Sequence, residues 1–187
     1  MIDLLATLSN IYAFIKNPTC ERSEALGIKD KAVLLVIILG LSFVINFFFI
    51  LIIASIEQLG VFNMENHAVN KMFEDFSPIV IIFFAVMLAP ILEELIFRAP
   101  ITLFCRYKKT FRYIFYGFAI VFGYVHITNF ELTTNVLLIS PILVAPQVLL
   151  GLLLGMIRVK LGLIYSILFH GIYNAILVIP SVLLYTT

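Results

Sequence analysis

The chain carries little charge. Of its 187 residues only 12% are Asp, Glu, Lys or Arg, whereas 63% are hydrophobic. Soluble domains contain about 25% charged and about 45–50% apolar residues, so this chain has too few charges to cover a globule in water. The composition excludes a soluble enzyme, a nucleic-acid-binding protein and a disordered chain. Together with a mean hydropathy of +1.13 it predicts an all-α, polytopic membrane helix bundle.

Tryptophan is absent and cysteine is scarce. Without Trp, anchoring at the membrane interface depends on Tyr, Lys and Arg. Cys20 and Cys105 lie in no CxxC, metal-ligand or prenylation pattern, so we expect two reduced thiols. The first fifteen residues carry Asp3 and lack a basic start, which argues against a signal peptide.

Long uncharged runs predict five membrane spans after a short N-terminal segment. Residues 1–31 are expected to form an interfacial amphipathic helix, ended at Asn17-Pro18, and a polar linker. Residues 32–187 are expected to form the transmembrane domain. Gly151 and Gly155, a GxxxG pair, predict close helix packing there. The predicted spans are 32–56, 78–104, 113–128, 136–157 and 161–185.

The basic residues are unevenly divided between the two ends of these spans. The N-terminal segment, the 105–112 loop and the 158–160 turn hold ten, whereas the opposite loops hold only Lys71. Cytoplasmic loops are enriched in Lys and Arg, so we expect the N-terminus in the cytoplasm and the C-terminus outside. His67 is expected to be a solvated histidine of an external loop.

Five ionisable residues lie within the predicted spans, where each carries a free-energy cost of insertion into hydrocarbon. A charged residue at the centre of a membrane helix costs about 2.5–3.5 kcal/mol, so such groups indicate a functional site. Counted from the basic ends of three spans at 1.5 Å per residue, Glu93, His126 and the pair His170 and Asn174 lie roughly 15–21 Å from the same face. The five residues are Glu93, Glu94, Arg98, His126 and His170.

Spacing separates the roles of the two adjacent glutamates. Glu94 and Arg98 are four residues apart, lie on one helix face and can form an ion pair. Glu93 is rotated by about 100° from Glu94 and does not share that partner easily. One carboxylate is therefore expected to be neutralised within its own helix while the other faces a cavity.

The remaining polar span residues also occur in pairs. Phe122 and His126 are four residues apart, as are His170 and Asn174. Two histidines, an amide and the carboxylate of Glu93 around one point suit the activation of water and the stabilisation of an oxyanion. The same donors also suit a zinc site formed by His, His and Glu.

Three motifs follow one another on these helices: EExxxR at 93–98, FxxxH at 122–126 and HxxxN at 170–174. In this order they resemble the CPBP family of intramembrane proteases, which includes type II CAAX prenyl endopeptidases and bacterial proteins implicated in bacteriocin processing and immunity. The resemblance covers residues 77–178. It implies an integral membrane protease whose partners are the lipid bilayer and a membrane-bound or lipidated peptide or protein substrate.

The resemblance also implies residue roles. Glu93 is similar to the general base that activates water, and His126 to a residue that assists at that water. His170 and Asn174 resemble the groups that hold the water and stabilise the tetrahedral oxyanion. An alternative to the Glu94–Arg98 pair is a contact between Glu94 and His126. The supporting residues implied are Glu94, Arg98 and Phe122.

Metal dependence stays open at this point. The family has been described both as metalloproteases and as metal-independent glutamate proteases, and a zinc ion would be held by Glu93, His126 and His170. The chain has no HExxH motif, and the Asn of HxxxN is an unusual zinc ligand, which favours a metal-free water.

Two classes of function follow from these patterns. The first is an intramembrane endopeptidase that hydrolyses a peptide bond of a prenylated CAAX-type or bacteriocin-type substrate. The second is a non-catalytic membrane immunity or partner-binding protein that retains the protease fold. The intact motifs favour the enzyme, whereas five spans without an inverted repeat argue against a proton-coupled carrier. The oligomeric state is left open.

Overall fold

The computed structural model of the chain describes residues 3–22, 26–63 and 68–185, without the side chains of residues 69 and 70. The described residues form helices and loops and no strand, which confirms the all-α expectation. His67 lies outside the described residues.

Five helical stretches in this part of the chain are long and apolar enough to cross a membrane, as predicted. A shorter apolar helix precedes them, so the predicted number and order of the helices are confirmed. The five stretches are Ile28–Gln58, Pro78–Phe104, Lys108–Asn129, Thr134–Lys160 and Leu163–Tyr185. The α-helices within the described residues are α1 (Leu4–Lys16), α2 (Ile28–Gln58), α3 (Ala68–Asp75), α4 (Pro78–Ile82), α5 (Ala89–Phe97), α6 (Lys108–Val125), α7 (Thr134–Leu143), α8 (Ala145–Lys160) and α9 (Leu163–Tyr185).

The second span changes its helical geometry along its length. A π-helical segment, Phe83–Leu88, joins α4 to α5, and a 3₁₀ segment, Ala99–Phe104, follows α5. Proline lacks an N–H, so Pro90 cannot donate to the carbonyl of Val86 four residues earlier, and the wider turn lies directly before it. A Cβ added at Gly171 of α9 would lie 3.0 Å from that carbonyl oxygen. Glycine there lets α9 approach the π-helical segment.

Helices α6 and α8 approach closely because small residues lie between them. A Cβ added at Gly123 would lie 2.2 Å from Cγ2 of Val148 and 2.9 Å from its backbone nitrogen. Cβ atoms added at Gly151 and Gly155 would lie 3.1 Å from Phe122 Cδ1 and 2.7 Å from a ring carbon of Phe115. The expected close packing at the GxxxG pair is confirmed, and the partner is α6 of the same chain.

The N-terminal helix packs on the bundle with only part of its predicted apolar face. The periodicity of α1 predicts an apolar face that includes Leu5, Ile11 and Tyr12. Ile11 is buried as this predicts, whereas Leu5 and Tyr12 are exposed and the polar Thr7 is buried. The ring of Phe14, also buried, lies 5.6 Å from that of Phe115 in α6. Contact with the bundle therefore selects the face of α1, and the rest of its apolar surface is left for lipid.

Cys20 and Cys105 form a disulfide, so the expectation of two reduced thiols is wrong. The linker after α1 returns to the end of the second span and brings the two Cα atoms to 5.3 Å from one another. A separation of 85 residues gives no sequence motif for this pairing. The disulfide fastens the N-terminal segment to the span that carries both glutamates.

We expect Gly123→Ala to destabilise the protein by about 1–3 kcal/mol, because the new methyl group meets the backbone of α8 as well as a side chain. The matched control is Gly117→Ala in the same helix, where an added Cβ meets nothing within 4 Å. Thermal unfolding in detergent measures both variants. Equal unfolding midpoints would contradict the close packing of α6 on α8.

Candidate active site

Glu94 is fully buried and has three partners. Its carboxylate oxygen Oε1 lies 3.6 Å from Nε of Arg98, one turn further along the helix. The same oxygen lies 3.0 Å from Nδ1 of His170, and Oε2 accepts a hydrogen bond from the hydroxyl of Ser166, both on α9. The predicted Glu94–Arg98 pair is therefore present, and Glu94 contacts His170 rather than His126.

Glu93 lies in a different environment from its neighbour. Its side chain is 28% exposed, whereas that of Glu94 is not exposed at all. Its Oε2 lies 3.7 Å from Nε2 of His170, which is too long for a direct hydrogen bond. His170 thus lies between the two carboxylates, with one ring nitrogen directed to each.

The ring of Phe122 connects the three motifs. It is fully buried, with its centroid 4.9 Å from that of His126 and 5.9 Å from that of His170. The guanidinium carbon of Arg98 lies 3.9 Å from the same centroid, a cation–π contact. None of the three guanidinium nitrogens has a hydrogen-bond partner within the described chain. The positive charge of Arg98 is therefore stabilised by this cation–π contact and by the nearby carboxylate of Glu94.

His126 is oriented by the backbone of its own helix. Its Nδ1 lies 2.8 Å from the carbonyl oxygen of Phe122. A carbonyl only accepts, so Nδ1–H donates, and in the neutral ring Nε2 then has a lone pair for another partner. In the described parts of the chain His126 makes no ion pair with either glutamate.

Asn174 lies one turn beyond His170 on α9 and contacts the π-helical segment. Its Nδ2 donates to the carbonyl oxygen of Ala85 at 2.8 Å. That bond uses one of the two amide N–H groups, so a second donor and the side-chain oxygen remain. The distortion of the second span thereby provides the acceptor that positions Asn174.

A zinc ion in a protein needs at least three side-chain ligands that converge on one point. Among residues 3–22, 26–63 and 68–185, no three His, Cys, Asp or Glu side chains lie close enough together to hold a metal. Glu93 and His170 are neighbours, but His126 does not join them as a third ligand. We therefore derive no chemical step through a metal.

Ser166 belongs to this site and Arg158 lies outside it, beside the end of α5, and no sequence motif singles out either residue. Ser166 precedes His170 by four residues and lies on the same helix face, a spacing that could have identified it. For Arg158 the sequence indicates only a contribution to membrane orientation. Arg158 donates from Nε to the carbonyl of Arg98 at 3.2 Å and from Nη2 to Oγ1 of Thr102 at 2.7 Å, where α5 ends. No motif joins residues so far apart.

Comparison with protein families agrees with this arrangement. The model of the type II CAAX prenyl endopeptidase Rce1-like family matches residues 75–176, more than half of the chain. The chain belongs to this family. The match confirms the resemblance to CPBP intramembrane proteases, and the Rce1-like region contains all three motifs. No curated protein and no solved structure gives a significant match.

In this Rce1-like chain, Ser166→Ala should lower the free energy of unfolding by about 1–3 kcal/mol, because a buried carboxylate oxygen loses its donor. The control is Ser181→Ala on the same helix, where an exposed hydroxyl bonds only the carbonyl of Leu177. Thermal unfolding of both variants in detergent measures the difference. A shift of similar size in both would rule out a structural role for the Ser166–Glu94 bond.

Proposed function

We propose that this member of the Rce1-like family is an active intramembrane endopeptidase in which Glu93 activates water. One observation carries the proposal: the two adjacent glutamates have different environments. Glu94 is fully buried, and Arg98, His170 and Ser166 contact its two carboxylate oxygens. Glu93 is partly exposed and adjoins only His170 among the described ion pairs.

The first step is the attack of water on the scissile carbonyl. The carboxylate of Glu93 removes a proton from water while the oxygen bonds to the carbonyl carbon. The lone pair on Nε2 of His126 accepts from the same water, which orients it for attack. His170 is held by Glu94 through Nδ1, so its Nε2 is fixed on the side of Glu93.

The second step is the collapse of the tetrahedral intermediate. The carbonyl oxygen has become an oxyanion, which accepts from the N–H of Asn174 that Ala85 does not use. His170 adds a second donor when both of its ring nitrogens carry protons, because Nδ1 then donates to Glu94 and Nε2 to the oxyanion. The C–N bond then breaks, and the proton on Glu93 passes to the leaving amine. The products are a carboxylic acid and an amine, and Glu93 is again a carboxylate.

We propose a membrane-associated substrate that is cleaved near its C-terminus, either a prenylated CAAX-type chain or a bacteriocin-type peptide. The family description supports the first, and the five apolar spans support cleavage within the bilayer. The excess of basic residues at one end supports a cytoplasmic N-terminus. The disulfide at the same end argues the other way, because disulfides are rare in the cytoplasm.

Glu93→Gln should abolish cleavage, whereas Glu94→Gln should mainly reduce stability. Removing the general base lowers the rate by about 10²–10⁴-fold without disturbing a buried pair. Replacing Glu94 leaves the buried Arg98 without a counter-charge, which costs about 3–5 kcal/mol. The amide oxygen of Gln still accepts from His170, so cleavage by the folded fraction should persist.

Both variants are assayed as purified protein in bilayer discs with a prenylated CAAX peptide, and unfolding midpoints are recorded in parallel. Full cleavage by folded Glu93→Gln protein would refute the mechanism. If wild-type protein cleaves no substrate, and cells carrying Glu93→Gln show the wild-type phenotype, the non-catalytic immunity or partner-binding function replaces this one.

Chelation separates a metal-free water from a zinc-bound one. We expect cleavage to survive treatment with a strong zinc chelator and elemental analysis to find no stoichiometric zinc, since the described residues include no three-ligand group. Loss of cleavage on chelation, restored by added zinc, would establish the metalloprotease alternative.

A further inference from the structure

A cavity of about 380 Å³ lies at the basic end of the bundle, outside the site described above. Its wall is formed where the second span ends and where α8 turns into α9. Arg22, Thr102, Cys105, Arg158 and Gly162 contribute to this wall. Neither the motifs nor the proposed hydrolysis uses this cavity.

Two arginines give the cavity its charge. Arg158 is held by hydrogen bonds from Nε and Nη2, and its Nη1 forms none within the described chain. Arg22 comes from the N-terminal linker, and its Nη2 would lie 3.7 Å from a Cβ added at Gly162. No described carboxylate forms an ion pair with either arginine or lines the cavity. The wall is suited to an anion.

The surface beside the cavity indicates its depth in the membrane. Leu103 follows Thr102 of the wall and is 70% exposed, and Ile164 follows Leu163 on the opposite wall and is 65% exposed. Both belong to spans whose apolar outer faces are suited to lipid. The arginines therefore lie where acyl chains give way to headgroups, and basic pockets between helices at this level bind anionic lipid headgroups.

We propose that this cavity binds the phosphate of an anionic phospholipid, with the acyl chains of the lipid beside Leu103 and Ile164. Guanidinium groups bind phosphate oxygens through paired, charge-assisted hydrogen bonds, which explains two arginines without a carboxylate. A zwitterionic lipid brings its own cation close to the same arginines and binds more weakly.

The cavity is linked to the N-terminal linker on one side and to the end of α5 on the other. The disulfide of Cys20 lies two residues before Arg22 and tethers this part of the linker to Cys105, and both cysteines line the cavity. Arg158 donates to the carbonyls of Arg98 and Ala99, where the helix carrying Glu93 ends. A bound phosphate would hold the N-terminal segment and the end of α5 against each other.

The test measures binding, so its outcome does not depend on whether Glu93 catalyses hydrolysis. Purified protein in a neutral detergent is titrated with short-chain phosphatidylglycerol, short-chain phosphatidylcholine or inorganic phosphate, and the unfolding midpoint reports affinity. We expect phosphatidylglycerol to bind most tightly. Arg22→Gln should weaken it about fivefold, because a basic residue near anionic lipid contributes about 1 kcal/mol. Arg22 is exposed, so this variant should fold.

The control is Arg112→Gln, an exposed arginine at the same end of the bundle that bonds Tyr113 and lies outside the cavity wall. It should bind phosphatidylglycerol as the wild type does. Equal weakening in both variants, or equal binding of phosphatidylcholine, would overturn the proposal. Tighter binding of inorganic phosphate would make this a free-anion site. Displacement of the lipid by a peptide with a free C-terminal carboxylate would assign the cavity to the substrate.

Discussion

The need to neutralise one carboxylate in hydrocarbon determines how this bundle is put together. An isolated charge in a low-dielectric interior is costly, so Glu94 is stable only while its partners are in place. Arg98 comes from the same span, but His170 and Ser166 come from α9, so the two spans must pack before the charge is satisfied. Glu93, one residue earlier, does not take part in this buried network and is partly exposed, so its carboxylate is available for the proposed reaction.

Apolar packing positions the polar groups. The ring of Phe122 touches both histidines of the motifs and the guanidinium of Arg98, and its location depends on α6 lying very close to α8. Gly123 and Gly151 make that distance possible. In lipid, helices gain little from burying apolar surface, so close van der Waals contact between small residues supplies much of the association.

The sequence predicts well the features that depend on residue spacing within a single helix. Hydropathy gives the positions of the spans. The rise and rotation per residue of an α-helix give the Glu94–Arg98 pair and the common depth of the motifs. The sequence predicts poorly what depends on the path of the chain between helices. No local sequence pattern predicts that the linker brings Cys20 to Cys105. Nor does one predict the hydrogen bonds from Arg158 to the end of α5. The buried face of α1 follows its amphipathic pattern only at Ile11, and contact with the bundle decides the burial of Thr7 and Phe14.

The π-helical segment Phe83–Leu88 also sets the angular phase of the second span. A π turn accommodates one residue more than the α-helical path would, and each residue of an α-helix turns the chain by about 100°. Deleting one residue there would let the segment return to α-helical turns, so Glu93 and Glu94 would nearly keep their direction relative to α9. A deletion in the α-helical turn after Pro90 would instead rotate both glutamates by about 100° relative to the first half of the span, so that turn tolerates changes in length less well than the π-helical segment does.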